Sequence, residues 1–202
     1  MQPFQRDFEL KSARYIAADC MRRFLRPGDT VVDATMGNGH DTCLLAGLVG
    51  AEGHVYAFDV QQQALEMTGA RLRDAHLESR VDLICDGHEH MAEYVHTPVR
   101  VVAFNLGWLP GGDKTVTTRW STTFEAVSAA LLLLSPMGVC TVCVYPGHAA
   151  GEEERTFLTE YLAKLPPQGY NVLRQSFINA GSGAPECFVI QRQETPLRRE
   201  EK

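Results

Sequence analysis

The feature that most constrains the fold is an apolar run followed by an acidic residue and two closely spaced glycines. Residues 31–42 have the sequence VVDATMGNGHDT, with glycine at positions 37 and 39. Such a segment is typical of a buried parallel strand that passes into a helix through a loop lying close to a ligand. Glycine permits dihedral angles that other residues avoid, and it has no Cβ to hold a ligand away. We therefore predict a binding site for a cofactor that contains a nucleoside.

The chemistry of this loop distinguishes two cofactors that both carry a ribose. A second strand-like segment ends in Asp59, about twenty residues after the glycines, where an acid usually accepts hydrogen bonds from ribose hydroxyls. A dinucleotide loop would have a third glycine, but Thr42 takes its place and Asp41 lies beside it. A pyrophosphate disfavours a neighbouring carboxylate, whereas the sulfonium and ammonium groups of S-adenosylmethionine (SAM) are positive. We therefore predict SAM, with a nicotinamide dinucleotide as a distant alternative.

Strand-like and helix-like patterns alternate along the chain. The predicted helices cover residues 8–25, 40–49, 61–75, 119–134 and 152–165, and the predicted strands cover 30–34, 54–58, 81–85, 100–105, 139–145, 170–177 and 186–191. This alternation indicates a parallel sheet, and the glycine-containing link at 180–184 indicates an antiparallel last strand. The order resembles the class I Rossmann-like methyltransferase fold, an α/β fold with a seven-stranded, mostly parallel, doubly wound sheet whose last strand is antiparallel.

Composition favours one compact domain. A chain of 202 residues with 45% hydrophobic residues is long enough for one core and short for two. We predict a single SAM-dependent methyltransferase domain over residues 1–192 and a short, charged, disordered tail over 193–202. The first residues contain charges, and no apolar run approaches the roughly 20 residues of a membrane span. We therefore expect a soluble cytoplasmic protein without a signal peptide.

The cysteines do not suggest a disulfide framework. All six are scattered through apolar segments, which predicts reduced core residues. Cys140 and Cys143 have C-x-x-C spacing, but they fall in a predicted strand, where residues three apart point to opposite faces. We therefore expect neither a redox pair nor a shared metal there.

Polar residues end the predicted strands, which is where open α/β sheets bind their ligands. Asp86 could accept a hydrogen bond from an adenine amino group while Gly87 lets the ring approach, although Asp-Gly is also an ordinary turn. His88 and His90 are not expected to converge on one ion, so we predict no metal site. The strand ends are Asp33, Asp59, Asp86, Asn105 and Tyr145. The candidate cofactor-binding residues are Asp33, Thr35, Gly37, Asn38, Gly39, Asp41, Thr42, Asp59, Gln61, Asp86, Gly87, His88 and Asn105.

The segment after the fourth parallel strand is the candidate catalytic loop. Residues 104–114 have the sequence FNLGWLPGGDK, similar in kind to the Asn-Pro-Pro-aromatic segment that amine methyltransferases place here. The Asn105 oxygen and a following carbonyl could accept hydrogens from an amine, which would direct its lone pair at the methyl group. Trp108 could stack on the substrate ring; alternatively, it is a packed loop residue.

An amine near the pKa of lysine is mostly protonated at neutral pH, so a proton must leave before it can attack. Asp113, His88 or solvent could accept this proton, and the sequence does not choose among them. The candidate catalytic residues are Asn105, Trp108 and Asp113, and the candidate substrate-binding residues are Gly107, Trp108, Lys114 and Arg119.

Two motifs, DATMGNGHDT at 33–42 and FNLGWLPGGDK at 104–114, resemble the bacterial family described as "putative rRNA methylases". Its characterised members methylate the aminomethyl group of the wobble uridine of tRNA. The resemblance covers nearly the whole chain and implies a SAM-dependent N-methyltransferase acting on 5-aminomethyl(-2-thio)uridine in the tRNA anticodon region. It also implies a homodimer. Trp108 stands where the family commonly has tyrosine, so the aromatic ring is kept and the phenol hydroxyl is not.

The charge of the chain favours a different substrate. The formal net charge is −6, whereas nucleic-acid binders usually present a basic face. The acidity favours a small-molecule amine methyltransferase, and a non-catalytic domain that binds the cofactor or RNA is a third hypothesis. Binding of tRNA would require a local patch, whose candidates are Lys114, Arg119, Arg14, Arg22, Arg23 and Arg26.

Overall fold

The computed structural model describes residues 12–112 and 115–194 of the chain. The strands are β1 (Thr30–Asp33), β2 (His54–Asp59), β3 (Val81–Cys85), β4 (Val99–Asn105), β5 (Leu134–Val144), β6 (Tyr170–Gln175) and β7 (Glu186–Arg192). The helices are α1 (Ala13–Phe24), α2 (His40–Val49), α3 (Gln62–Asp74), α4 (Met91–Tyr94), α5 (Trp120–Leu133) and α6 (Ala149–Leu162). Two short 3₁₀ turns, Glu78–Arg80 and His88–His90, flank β3.

The strands form one sheet in the order β3-β2-β1-β4-β5-β7-β6. Neighbouring strands from β3 through β5 are parallel, and β7 runs antiparallel to both β5 and β6. The predicted fold class is therefore confirmed, including the reversed last strand. The chain leaves β1 towards β2 and β3 on one side and returns to β4 on the other. This change of direction opens a crevice at the carboxyl ends of β1 and β4, the usual ligand position in such sheets.

Helices cover both faces of the sheet because successive strand residues point to opposite sides. Val31 and Ala103 pack with the apolar residues of α1, α2 and α3, whereas Val32 and Phe104 pack with those of α4, α5 and α6. The central strands are therefore buried on both faces, which explains why their sequences are nearly continuous apolar runs. Two separate apolar layers thus hold the strand ends of the crevice in place.

The cysteines confirm this alternation and correct one expectation. Cys140 packs in the layer of α5 and α6, and Cys143 packs in the layer of α1 and α2, so the two thiols lie on opposite faces as predicted. All six cysteines lie within the described ranges and are free thiols. Cys85 is exposed at the end of β3 and is not a core residue.

The start of β5 differs from the sequence prediction. The strand begins at Leu134 instead of residue 139, and α5 ends at Leu133. Leu134 pairs with Val99, and the register of the ladder shifts before Val101. Met137 has a left-handed φ of 61° within this irregular stretch. The Ser-Pro-Met-Gly sequence at 135–138 looks like a loop, and in the structure it forms the irregular stretch between the paired residues Leu134 and Val139.

Helix α6 begins and ends earlier than predicted. It starts at Ala149 instead of residue 152, because the His148 Nδ1 accepts a hydrogen bond from the Gly151 amide at 3.2 Å and caps the helix. Histidine is not among the usual capping residues, so the sequence gives little warning of this start. The helix ends at Leu162 because Leu165 precedes Pro166, a position that disfavours helical dihedrals.

Some predictions concern residues outside the described ranges. These are the beginning of the predicted first helix at 8–11, Asp113, Lys114, and most of the predicted tail at 193–202. The division into one domain and a tail stays a prediction. Among the described residues, no helix is long and apolar enough to cross a membrane.

Candidate active site

A cavity of about 800 Å³ opens at the carboxyl ends of the parallel strands, in the crevice where the strand order changes direction. Arg14 of α1 and Tyr145, which follows β5, also contribute to its walls. The loops that line it include residues 34–38, 40–41, 58–61, 86–89, 105–110 and 116–119. The structure therefore brings the glycine loop and the candidate catalytic loop to one site.

Most candidate cofactor-binding residues border this cavity, but three do not. Asp33, Gly39 and Thr42 lie behind its wall. The Thr42 hydroxyl donates to Asp33 Oδ2 at 2.6 Å, and the Thr35 amide donates to Asp33 Oδ1 at 3.2 Å. These three residues support the loop from behind the cavity wall, and their contact with the cofactor stays a prediction. The candidates that line the cavity are Thr35, Gly37, Asn38, Asp41, Asp59, Gln61, Asp86, Gly87, His88 and Asn105.

The two loop glycines serve different purposes. Gly37 lines the cavity with a φ of +48°, and a Cβ there would meet Leu109 at 3.6 Å, an ordinary contact distance. Gly39 has a φ of +77°, and a Cβ there would lie 2.7 Å from Thr68 Oγ1. The Thr68 hydroxyl also donates to the Gly37 carbonyl at 3.0 Å. Gly39 is therefore required by the packing of the loop on α3, and not by the approach of a ligand.

One buried carboxyl group, Asp33, and two half-buried ones, Asp41 and Asp59, give the site its electrostatic character. Burial raises the pKa of Asp33 to about 7, with the neighbouring Asp41 as the next cause. Burial likewise raises the pKa of Asp41 and of Asp59. The Asp59 carboxylate accepts from the Gly37 amide at 3.1 Å and from the Gln61 amide at 2.9 Å, and it still borders the cavity. Carboxyl groups held in this way suit the ribose and the positive groups of SAM.

The contribution of Asp33 to the thermal stability of the free protein is expected to fall as the pH rises from about 4 to about 7. Asp33 binds a proton over this range in the folded chain, where its pKa is about 7, but not in the unfolded chain, where its pKa is the ordinary 3.8 of an aspartate. Its stabilising contribution is therefore complete below the unfolded pKa and is lost as the pH rises through the folded one.

The variant Asp33→Asn isolates this contribution, because it removes the charge and keeps an oxygen for the Thr35 amide. Its Tm should fall less between about pH 5 and about pH 8 than that of the wild type. Asp41 and Asp59 titrate in the same direction as Asp33, whereas His88 and Asp86 titrate in the opposite direction, so the quantity compared is the difference between the slopes of variant and wild type. Equal slopes of Tm against pH for variant and wild type would contradict the raised pKa of Asp33.

The end of β3 is more firmly bonded than the sequence suggests. The Asp86 carboxylate accepts from the Tyr94 hydroxyl at 2.8 Å and lies 2.9 Å from His90 Nδ1. These bonds lower the pKa of Asp86. His88 turns the other way, and its Nδ1 lies 3.2 Å from the Ala34 carbonyl, which can only accept. The two imidazoles therefore point to different partners, and in the described ranges no group of three His, Cys, Asp or Glu side chains could hold a metal ion.

Asn105 is held at both ends of its side chain. The Tyr145 hydroxyl donates to Asn105 Oδ1 at 2.6 Å, and Asn105 Nδ2 lies 3.5 Å from Asp41 Oδ2. The Asn105 main-chain amide also donates to Thr35 Oγ1 at 2.7 Å. The side chain borders the cavity. An amide oxygen therefore lies at the carboxyl end of β4, where it could accept a hydrogen bond from the N–H of an amine.

Trp108 packs within the loop and still borders the cavity. Its ring centroid lies 4.6 Å from that of His148, with the two planes tilted by 49°. The side chain is 37% exposed. The Asn38 amide also donates to the Pro110 carbonyl at 3.2 Å, which connects the glycine loop with the candidate catalytic loop. Trp108 is therefore both a packed loop residue and part of the cavity wall.

A buried carboxylate closes the base of the candidate catalytic loop. The Gly107 amide donates to Thr118 Oγ1 at 2.9 Å, and the Thr118 hydroxyl donates to Glu154 Oε2 at the same distance. The Thr123 hydroxyl donates to Glu154 Oε1 at 2.7 Å. Glu154 is 1% exposed, and burial raises its pKa. Helix α6 therefore anchors the loop that begins at Gly107 and returns at Thr118.

The structure places some of the remaining candidate residues at the cavity and does not describe others. Arg119 is exposed and borders the cavity, as a substrate-binding residue should. Asp113 and Lys114 lie outside the described residues. Sequence reasoning missed His148 and Glu154, since their places depend on how α6 packs. It identified Tyr145 as a strand end and gave it no role.

The fold and the cavity define a class of protein. A seven-stranded sheet with a reversed last strand, a glycine loop after β1 and an acid at the end of β2 are the features of a class I methyltransferase. The family model described as "Putative rRNA methylase" matches residues 55–191, and the chain belongs to this family. The protein is a SAM-dependent methyltransferase.

The relatives agree with this assignment. The chain is 35% identical over 196 residues to the chloroplastic tRNA (mnm(5)s(2)U34)-methyltransferase of Arabidopsis thaliana, covering 92% of this chain and 72% of the relative. A Clostridium thermocellum structure described as a "putative rRNA-methylase" is 42% identical with a TM-score of 0.89, covering 92% and 100% of the two chains. A "putative methyltransferase" from Streptococcus mutans in complex with SAH is 32% identical with a TM-score of 0.82, covering 91% and 99%.

Proposed function

We propose that the protein transfers the methyl group of SAM to the aminomethyl group of 5-aminomethyl(-2-thio)uridine at the wobble position of tRNA. The Arabidopsis relative, which carries the name of such an enzyme, supports this substrate at 35% identity over most of the chain. The observation that carries the proposal is the Asn105 amide oxygen at the edge of the cavity, with the Trp108 ring three residues later. This pair suits a planar base that carries an amine.

The side chains around the cavity can hold the cofactor and orient the amine. When bound, SAM would supply a methyl group activated by its sulfonium: the amine lone pair would form the new N–C bond as the C–S bond breaks, and the electrons of that bond would stay on sulfur. Asp59 suits the ribose hydroxyls, and Asp41 suits the positive groups of the cofactor. Asn105 Oδ1 accepts an N–H of the neutral amine, so that the nitrogen lone pair faces the methyl carbon. Such orientation supplies most of the acceleration in a displacement of this kind.

The amine must lose a proton before it reacts, because an aliphatic ammonium has no lone pair. His88 is 8% exposed, and burial lowers its pKa, so its ring is neutral and a weaker proton acceptor than a free imidazole. Its Nδ1 donates to the Ala34 carbonyl, which leaves Nε2 as its acceptor atom. Asp113 and solvent remain the other proposed acceptors.

The phosphates of the tRNA require positive charge in a chain whose net charge is −6. Arg14 and Arg119 border the cavity, and we propose that Arg119, together with Lys114, holds phosphate groups of the anticodon loop. A homodimer, which the family resemblance implies, would present two such patches. Light scattering on the purified protein measures its molar mass and so distinguishes a dimer from a monomer. The cytoplasmic location stays a prediction.

The variant Arg119→Ala is expected to raise KM for tRNA and to leave kcat nearly unchanged. Removing one phosphate contact should also lower the slope of log KM against log salt by about one. The matched control is Arg73→Ala, an exposed arginine of α3 that does not line the cavity. Methylation kinetics over a series of salt concentrations measure both effects. An unchanged salt slope in Arg119→Ala would contradict the phosphate role.

The proposed substrate is tested with tRNA from cells that lack the corresponding gene. The purified protein and SAM are incubated with this tRNA, and the digested nucleosides are analysed by mass spectrometry. A gain of one methyl group on aminomethyluridine is the expected result. Methylation of free amines or of rRNA, without a gain on tRNA, would refute the proposed substrate. The acidity of the chain makes a small-molecule amine the second candidate.

A further inference from the structure

We propose that Tyr145 is a positioning residue, which together with Asp41 holds the side-chain amide of Asn105 in the orientation that presents its oxygen to the amine. This inference rests on the proposed function of Asn105. It starts from a property of asparagine: the oxygen and nitrogen ends of its amide have nearly the same shape. An amide turned by half a rotation would offer N–H groups instead of an acceptor, and these would bind the lone pair that must attack the methyl carbon.

The neighbours of Asn105 distinguish the two ends of the amide. Asp41 Oδ2 lies 3.5 Å from Nδ2, and a carboxylate can only accept hydrogen bonds. The Tyr145 hydroxyl lies 2.6 Å from Oδ1 and donates to it. In the reversed orientation the amide oxygen would face the carboxylate of Asp41, which is repulsive. A phenol hydroxyl can either donate or accept, so it is Asp41 that decides which end of the amide faces Tyr145. In that orientation the Tyr145 hydroxyl donates to Oδ1 at the shorter distance and fixes the oxygen in place.

The backbone places the phenol firmly. Tyr145 is the first residue after β5, and its half-buried ring packs against the apolar layer of α1 and α2. Asn105 pairs with Cys143 in the sheet, and the Leu106 amide donates to the Cys143 carbonyl at 3.0 Å. Gly151 of α6 packs so closely that a Cβ there would lie 2.1 Å from the Tyr145 carbonyl oxygen. The phenol therefore reaches Asn105 from a segment that is bonded to the sheet and packed beneath α6.

The contact leaves the acceptor function of Asn105 intact. A carbonyl oxygen has two lone pairs, so Oδ1 can accept from Tyr145 and from the substrate amine together. Burial raises the pKa of Tyr145 well above its usual range, so the hydroxyl keeps the proton that it donates. The hydroxyl thus acts on the reaction through Asn105.

The first test compares methyl transfer by Tyr145→Phe, Asn105→Ala and the double variant. Tyr145→Phe keeps the packed ring and is expected to lower kcat about tenfold, the value of one lost hydrogen bond, with SAM affinity and Tm close to those of the wild type. The double variant should be no slower than Asn105→Ala, because the hydroxyl acts only through Asn105. The control Tyr170→Phe removes a phenol hydroxyl that bonds to the Leu131 carbonyl, outside the cavity, and should keep full activity.

Two kinetic outcomes would overturn the inference. One is an unchanged kcat in Tyr145→Phe. The other is a double variant whose loss equals the product of the single losses, which would mean that the two residues act independently.

A second measurement does not depend on the substrate. The side-chain amide protons of Asn105, identified by their loss in Asn105→Ala, should give one sharp pair of NMR signals in the wild type. In Tyr145→Phe they should broaden as the amide exchanges between two orientations. If the wild type fails to methylate aminomethyluridine but shows this difference, the proposed substrate fails and the role of Tyr145 stands. If methylation occurs and the signals of Tyr145→Phe stay sharp, the role of Tyr145 fails alone.

Discussion

Replacing Asn105 by alanine is expected to lower kcat about 100-fold, because the amine loses the acceptor that orients its lone pair. SAM affinity should change little, since the glycine loop and Asp59 do not depend on this side chain. The main-chain bond from the Asn105 amide to Thr35 also remains in the variant. Methylation of tRNA under single-turnover conditions and calorimetric titration with SAM measure the two quantities separately.

The control for this prediction is Asn171→Ala, an exposed asparagine of β6 that does not line the cavity. It should retain the activity of the wild type. An Asn105→Ala protein whose kcat stays within about twofold would show that orientation by Asn105 is not needed. A collapse of SAM affinity would instead assign the side chain to cofactor binding, which its place among the cofactor candidates also allows.

The second large effect is expected from Gly39→Ala. The new Cβ would lie 2.7 Å from Thr68 Oγ1, 2.9 Å from its Cγ2 and 3.0 Å from its Cα, at a φ of +77°. A left-handed non-glycine residue costs about 1–2 kcal/mol, and overpacking costs about 1–3 kcal/mol more. The free energy of unfolding should therefore fall by roughly 2–5 kcal/mol. SAM affinity should fall as well, because the loop must shift away from α3.

Gly47→Ala provides the matched control for the same chemical change. Gly47 lies in α2, and no described atom lies within 4 Å of a Cβ built there. Alanine is a better helix former than glycine, so this variant should gain about 0.5–1 kcal/mol of stability. Urea unfolding of both variants measures the difference. Equal stabilities would contradict the steric account of the glycine loop.

The general fold was accessible from the sequence because its signals are local. The apolar runs of β1, β4 and β5 follow from burial on both faces, and the two closely spaced glycines after β1 indicate the loop in which both have a positive φ. The reversed β7 was indicated by the link at 180–184. These features depend on near neighbours along the chain, which is why residue patterns reveal them.

The site was accessible only in part. Strand ends identified Asp59 and Asn105, but not that Asp33 and Thr42 bond to each other behind the cavity wall. The sequence also suggested a free carboxylate at Asp86, whereas Tyr94 and His90 both bond to it. Such partners come from turns and helices whose packing a residue pattern does not specify.

By itself, the sequence determined the order of strands and helices, the glycine loop, the SAM preference and the family, because periodicity and short motifs depend on neighbouring residues. Only the tertiary structure decided which side chains meet across the crevice. It joined Tyr145 and Asp41 to Asn105, and it anchored the catalytic loop to Glu154 of α6. Tyr145 and Asp41 lie 40 and 64 residues from Asn105 along the chain, so only the packing of the sheet and its helices could bring them together.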